Sequence, residues 1–203
     1  IVFEGIGRAR IFLILFFAIA WLQFPVKESP SLKAVRNYIV LQPPGRRFFF
    51  LASGAHILGS VLNLAGLSLL TSNIQKQRNL ATKRRLSVAL MQGFTSASCW
   101  SPFYIGMIVV LISIPGVSWL ELAPWGILMA ILLILAGWVF DRAGHRPDRS
   151  NLMRTRPTPV SRRHLATAIF ILVSLVGITV LIVELTRTNI PVTLSIMAPI
   201  YAL

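Results

Sequence analysis

The sequence predicts an all-α, polytopic membrane protein. Three observations predict it. Of 203 residues, 55% are hydrophobic and only 13% are charged. The apolar residues fall in long runs that contain no Asp, Glu, Lys or Arg. The charge is one-sided, with 20 Lys and Arg against 6 Asp and Glu, a formal net charge of +14. Clustered cations beside unbroken apolar runs exclude an ordinary soluble domain and a disordered basic tail. Inside a bilayer the backbone must satisfy its own hydrogen bonds, so runs of about 20 apolar residues default to helix.

The elements follow in order. Residues 11–26 form a short first span. Arg8 and Arg10 before it, and Ala18-Ile19-Ala20 within it, imitate a signal peptide. The apolar run continues to Val26, which favours a span. Residues 48–71 and 86–113 are uncharged, and 122–140 and 165–183 are conventional spans. Residues 188–203 start another segment, giving five or six in a single membrane domain over 1–203. The chain opens at Ile1 and ends at Tyr201-Ala202-Leu203 in an apolar stretch, so a piece of a longer chain is expected. The lone Cys99 excludes a disulfide within one chain, and the absence of an Asn-x-Ser/Thr sequon fits a bacterial inner membrane.

Seventeen of the 20 basic residues lie in three loops, 27–47, 76–85 and 142–163. The positive-inside rule places all three in the cytoplasm. Anionic lipid headgroups are then their expected neighbours. Nucleic acid is not expected, because the loops lack interleaved aromatics and a folded module. Segments 86–113 and 122–140 form a hairpin whose turn, 114–119, faces outside. Between the first two basic loops lies only segment 48–71, too short to cross twice. It is therefore expected to be a re-entrant hairpin turning at its glycines, Gly54, Gly59 and Gly66, with the polar pattern breaking near Gly59. The alternative is a plain crossing with loop 27–47 outside. In that loop Leu32, Ala34, Val35, Ile39, Val40 and Leu41 are interleaved with Lys33 and Arg36, which suits an interfacial helix or a plain connection.

Two constellations carry candidate chemistry. Ser53, His56, Ser60 and Asn63 recur at spacings of three, four and three, so a helix places them on one face. His and Asn are costly in a bilayer unless they meet partners, so such a stripe lines a cavity or glues helices together. The second constellation is a broken span. Gln92 to Pro102 interrupts an apolar run with Gly93, Thr95, Ser96, Ser98, Cys99 and Ser101. Pro102 lacks the N–H that would continue a helix. Unwound membrane segments of this kind build the midplane sites of many secondary transporters, and a proline kink is the plainer reading. Glu184 and Arg187, followed by Asn189-Ile190-Pro191, form a fainter third example.

Trp21, Trp119, Trp125 and Trp138 lie near span ends and suit interfacial anchoring. His145 and His164 are expected to be solvated. No phosphate loop and no HExxH motif is present. A Ser98–His56 protease has no support in the local sequence. We expect no enzyme, no metal and no cofactor.

The segments 48–71, 92–102 and 189–199, set between basic loops, resemble secondary permeases of the ion-transporter type, which include organic-anion and arsenite permeases. That family builds its site from re-entrant hairpins and interrupted helices. The paired Ser-Asn-Thr signature of that family's hairpin tips is absent, and Thr95-Ser96 and Thr188-Asn189 are only faint relatives of it. The resemblance implies a multi-pass permease for a small solute or anion, working by alternating access. The polar stripe and the broken span, not the resemblance, supply the expected site: Ser53, His56, Ser60, Asn63, Thr95, Ser96, Ser98 and Ser101, with His56 able to take up a proton. The alternative is a non-transporting membrane subunit whose Gly and Ser faces are helix interfaces. A homo-oligomer or a partner subunit in the membrane is compatible with either.

Overall fold

The computed structural model describes residues 28–43, 45–75, 77, 79–114, 116–144 and 160–186. It also describes the isolated positions 13, 17, 20, 192, 193, 196 and 197. Apart from those positions, segments 11–26 and 188–203 lie outside the described residues. So do Arg187 and the middle of loop 142–163, including His145.

The described chain is all-α, with seven helices: α1 (Pro30–Val40), α2 (Arg47–Leu62), α3 (Leu64–Gln75), α4 (Leu80–Ser96), α5 (Ile105–Ser113), α6 (Trp119–Gly144) and α7 (Arg162–Thr186). A 3-10 turn, Ala97–Cys99, follows α4. Among the described residues, only α6 and residues Arg162–Val183 of α7 are long and apolar enough to cross a membrane by length and composition.

Local chemistry sets the helix starts. The Ser29 hydroxyl caps α1 by accepting from the N–H of Leu32, with Pro30 at the first helical position. The Asn79 side chain accepts from the N–H of Thr82 and starts α4. Ser118 and Glu121 cap each other's backbone N–H groups at the head of α6. Because α4 starts at Leu80, Lys83, Arg84 and Arg85 are helical residues and not loop, which corrects the expected basic loop 76–85. Residues 30–40 of the first basic loop are likewise helix, with Leu32 and Ile39 buried.

The central pair is α2 and α4, and they run parallel. Ala52 packs on Gly93, His56 bonds to Ser96, Ser60 to Ser101 and Asn63 to Phe103, a nearly constant offset along the chain. Small residues permit the approach. A Cβ on Gly93 would run into the carbonyl oxygen of Ala52. Two successive parallel helices need a return path, and α3 supplies it. The α2 helix ends at Asn63, whose φ of 50° and ψ of −128° break the helix. That conformation belongs to the first corner of a type II′ turn, where Gly and Asn dominate. Past it, Gly66 lies so near α2 that a Cβ would meet the Leu58 carbonyl at 2.5 Å. In a continuous helix those two residues would stand about 12 Å apart. Segment 48–71 is thus a helical hairpin, with its turn at Asn63 and not at Gly59.

The α6 helix runs antiparallel to α4. Arg85 pairs with Asp141, the Gln92 amide donates to the Leu133 carbonyl at 2.6 Å, and Trp119 Nε1 donates to the Trp100 carbonyl at 2.7 Å. Gly137 accommodates the Gln92 side chain, and Gly126 accommodates the carbonyl of Cys99. The α7 helix buries one stripe, Ala168, Leu172, Leu175 and Thr179, at spacings of four, three and four. It packs against α1, where Ser31 Oγ lies 3.2 Å from His164 Nδ1. His164 is exposed, as expected, yet it is bonded to another helix.

Arg47 at the start of α2, Arg84 and Arg85 near the start of α4 and Arg142 at the end of α6 gather at one end of the α2–α4–α6 layer. Phe49 against Trp138, with ring centroids 5.8 Å apart, belongs to the same end, and Arg142 lies over the Trp138 ring. Arg47 stands one residue before segment 48–71. Burial, and then the like charge of Arg85, lower its pKa below the usual arginine value.

Candidate functional site

The hairpin tip of α2 and α3 meets the gap that follows α4. The helix continues through Gln92 to Ser96, so the break is shorter than the expected span from Gln92 to Pro102. It comprises the 3-10 turn and residues 100–104 before α5 begins. The Asn63 side chain donates to the Phe103 carbonyl at 3.0 Å, tying the hairpin tip to the unwound segment. Ser101 Oγ donates to the Ser60 carbonyl and accepts from the N–H of Phe103 at 3.2 Å. Freed backbone groups are thus taken up by side chains across the two breaks, as a buried break requires.

One turn below lies a directed chain of hydrogen bonds. Trp100 Nε1 donates to His56 Nε2 at 3.1 Å. An indole N–H only donates, so Nε2 carries no proton there and the ring is the neutral Nδ1–H tautomer. Nδ1 then donates to Ser96 Oγ at 2.9 Å, and Ser96 Oγ donates to the Gly93 carbonyl at 2.8 Å. The Trp100 ring lies tilted over the imidazole, with centroids 6.0 Å apart. Tyr104 closes the same region, its hydroxyl donating to the Phe94 carbonyl at 2.8 Å.

The structure therefore brings together His56, Ser60, Asn63, Ser96 and Ser101. Ser53 is half-buried one turn before His56 on α2. Thr95 and Ser98 lie apart from the cluster. Both are exposed, and their hydroxyls donate to the Met91 and Thr95 carbonyls, the usual back-bonding of Thr and Ser in a helix. Cys99 is half-buried at the end of the 3-10 turn. Trp100 and Tyr104 are members that residue-type reasoning missed. Their signal was their place inside the broken run. Among the described residues no buried side-chain nitrogen or oxygen lacks a hydrogen bond.

A second feature lies at the basic end. Between α4 and α6 opens a cleft of about 1020 Å³. Its polar end holds Arg84 and the Arg85–Asp141 pair, in which the guanidinium grips both carboxylate oxygens. Gln92 marks the far end.

Comparison with protein-family models, with curated proteins and with solved structures finds no match for this chain.

Proposed function

We propose that this chain forms part of a multi-pass membrane permease for a small solute or anion, in a bacterial inner membrane. One observation carries the reading: the tip of a helical hairpin meets the unwound segment of the neighbouring helix at Asn63 and Phe103. Two discontinuous helices facing each other are the geometry from which secondary transporters build a midplane site. The gathering of Arg47, Arg84, Arg85 and Arg142 at one end supports a hairpin that enters and leaves on the cytoplasmic side. In this reading His56, Ser60, Asn63, Ser96 and Ser101 exchange their internal bonds for a solute as the hairpin and the break move apart. His56 then takes up or releases a proton only after Trp100 lets go of Nε2.

A second reading is favoured by a different observation. The polar groups of the cluster are satisfied within the protein, which is what a non-transporting membrane subunit would use to fix its helices.

Cys99 separates the two. In sealed vesicles, a membrane-impermeant maleimide is applied with and without candidate anions, and solute flux is measured in parallel. Labelling that a transported anion slows supports the permease. A thiol that reacts only after denaturation, with no flux, supports the packing subunit.

A further inference from the structure

We propose that the cleft between α4 and α6 is a binding site for one anionic phospholipid, with its phosphate at Arg84 and an acyl chain along the groove. The site is independent of the permease reading, since it lies at the basic end and shares no residue with the His56 cluster. Its two halves have opposite character. The walls are apolar and open: Leu80 is 78% exposed, Val88 52% and Phe140 77%. Such side chains belong against hydrocarbon, and α6 is long and apolar enough to cross a membrane. The mouth is cationic. Arg84 lines the cleft and is exposed, and among the described residues it has no carboxylate partner.

The Arg85–Asp141 pair beside it carries opposite charges that offset each other, the guanidinium bonding both carboxylate oxygens. It therefore does not cancel the charge of Arg84. Its buried Asp141 also keeps Arg85 turned toward α6, leaving Arg84 as the cation free to meet a headgroup. Arg47 and Arg142 at the same end add positive potential. A guanidinium grips a phosphate through two parallel N–H bonds, which a neutral or zwitterionic lipid matches less well in net charge. The cleft is large enough for a chain segment, with Gln92 held against the Leu133 carbonyl at its inner end. Basic pockets between membrane helices on the cytoplasmic side are where anionic headgroups lodge.

The test uses the purified full chain in mixed nanodiscs of phosphatidylglycerol and phosphatidylcholine, with retained lipid counted by native mass spectrometry. The wild type is expected to retain phosphatidylglycerol preferentially. Arg84→Gln is expected to lower that preference about fivefold, the worth of one cation near an anionic surface. Val88→Trp, which fills the groove without touching the charge, is expected to lower it as well. Lys33→Gln, a charge change at the exposed Lys33–Glu28 pair, is expected to leave it unchanged. Equal retention of both lipids by the wild type overturns the proposal, as does full preference in Arg84→Gln. Loss with Arg84→Gln but not with Val88→Trp also overturns it, because Arg84 then holds a headgroup or a free anion without the groove. Folding of each variant is checked by its unfolding midpoint.

Discussion

His56 and Trp100 are joined by an indole N–H that donates to Nε2 at 3.1 Å, and this bond sets the direction of every proton in the chain to Gly93. Trp100 lies in the unwound segment and His56 in α2, so the bond also fixes the segment on the helix. Nitrogen NMR of labelled His56 is expected to show the neutral Nδ1–H tautomer. Trp100→Phe removes the donor and frees the ring. Its cost in detergent-induced unfolding is expected to be about 1 kcal/mol, and coupling to His56→Phe of similar size is expected in a double-mutant cycle. Additive single effects would dissolve the network.

Gly93 sets the spacing of α2 and α4. Gly93→Ala places a methyl group against the backbone of Ala52, where no flexible side chain can yield. A loss of about 1–3 kcal/mol is expected, the range for overpacking. Gly106→Ala is the control. It lies in α5 with nothing within 4 Å of the new methyl, and the higher helix propensity of Ala is expected to make it neutral or slightly stabilising.

Asn63 holds the hairpin turn in a left-handed conformation. Asn63→Val both loses the bond to Phe103 and forces a β-branched residue into that region. Asn63→Gly loses only the bond. The valine variant is expected to be less stable than the glycine variant by about 1–2 kcal/mol in unfolding measurements. Equal stabilities would mean that the turn tolerates any residue.

The Arg85–Asp141 pair links the start of α4 to the end of α6, with the Asp141 side chain 5% exposed and that of Arg85 22% exposed. Removing one partner leaves the other's charge uncompensated in a partly buried site. Asp141→Ala is expected to cost about 3 kcal/mol, and replacing both partners by apolar residues is expected to cost less than either single change. Thermal unfolding of the four variants checks the order.

Periodicity made much of the site legible before any fold was known. The spacing of His56, Ser60 and Asn63 follows from the 3.6-residue turn, and a helix puts them on one face wherever it packs. The break after α4 is legible from Pro102 and the hydroxyl residues, though it begins after Ser96 and not at Gln92. Gln92 to Ser96 are still helical, with the Gln92 amide donating to the Leu133 carbonyl and the Ser96 hydroxyl to the Gly93 carbonyl. Thr95 and Ser98 were indistinguishable by residue type from Ser96 and Ser101. The difference is which side of one turn faces α2.

The sequence by itself determined the all-α class, the uncharged lengths, the clustering of cations and the polar face of α2. Each is a local property of composition or period, and local physics suffices for it. Only the tertiary structure decided that α2 and α4 run parallel, that segment 48–71 turns at Asn63, and that Trp100 reaches His56. It also decided that Asp141, far away in sequence, neutralises Arg85 while Arg84 stays open. Those relations depend on which small residue lets one backbone approach another. Gly93 on Ala52 and Gly66 on Leu58 are fits of shape, and shape complementarity between distant segments leaves no periodic mark in the chain.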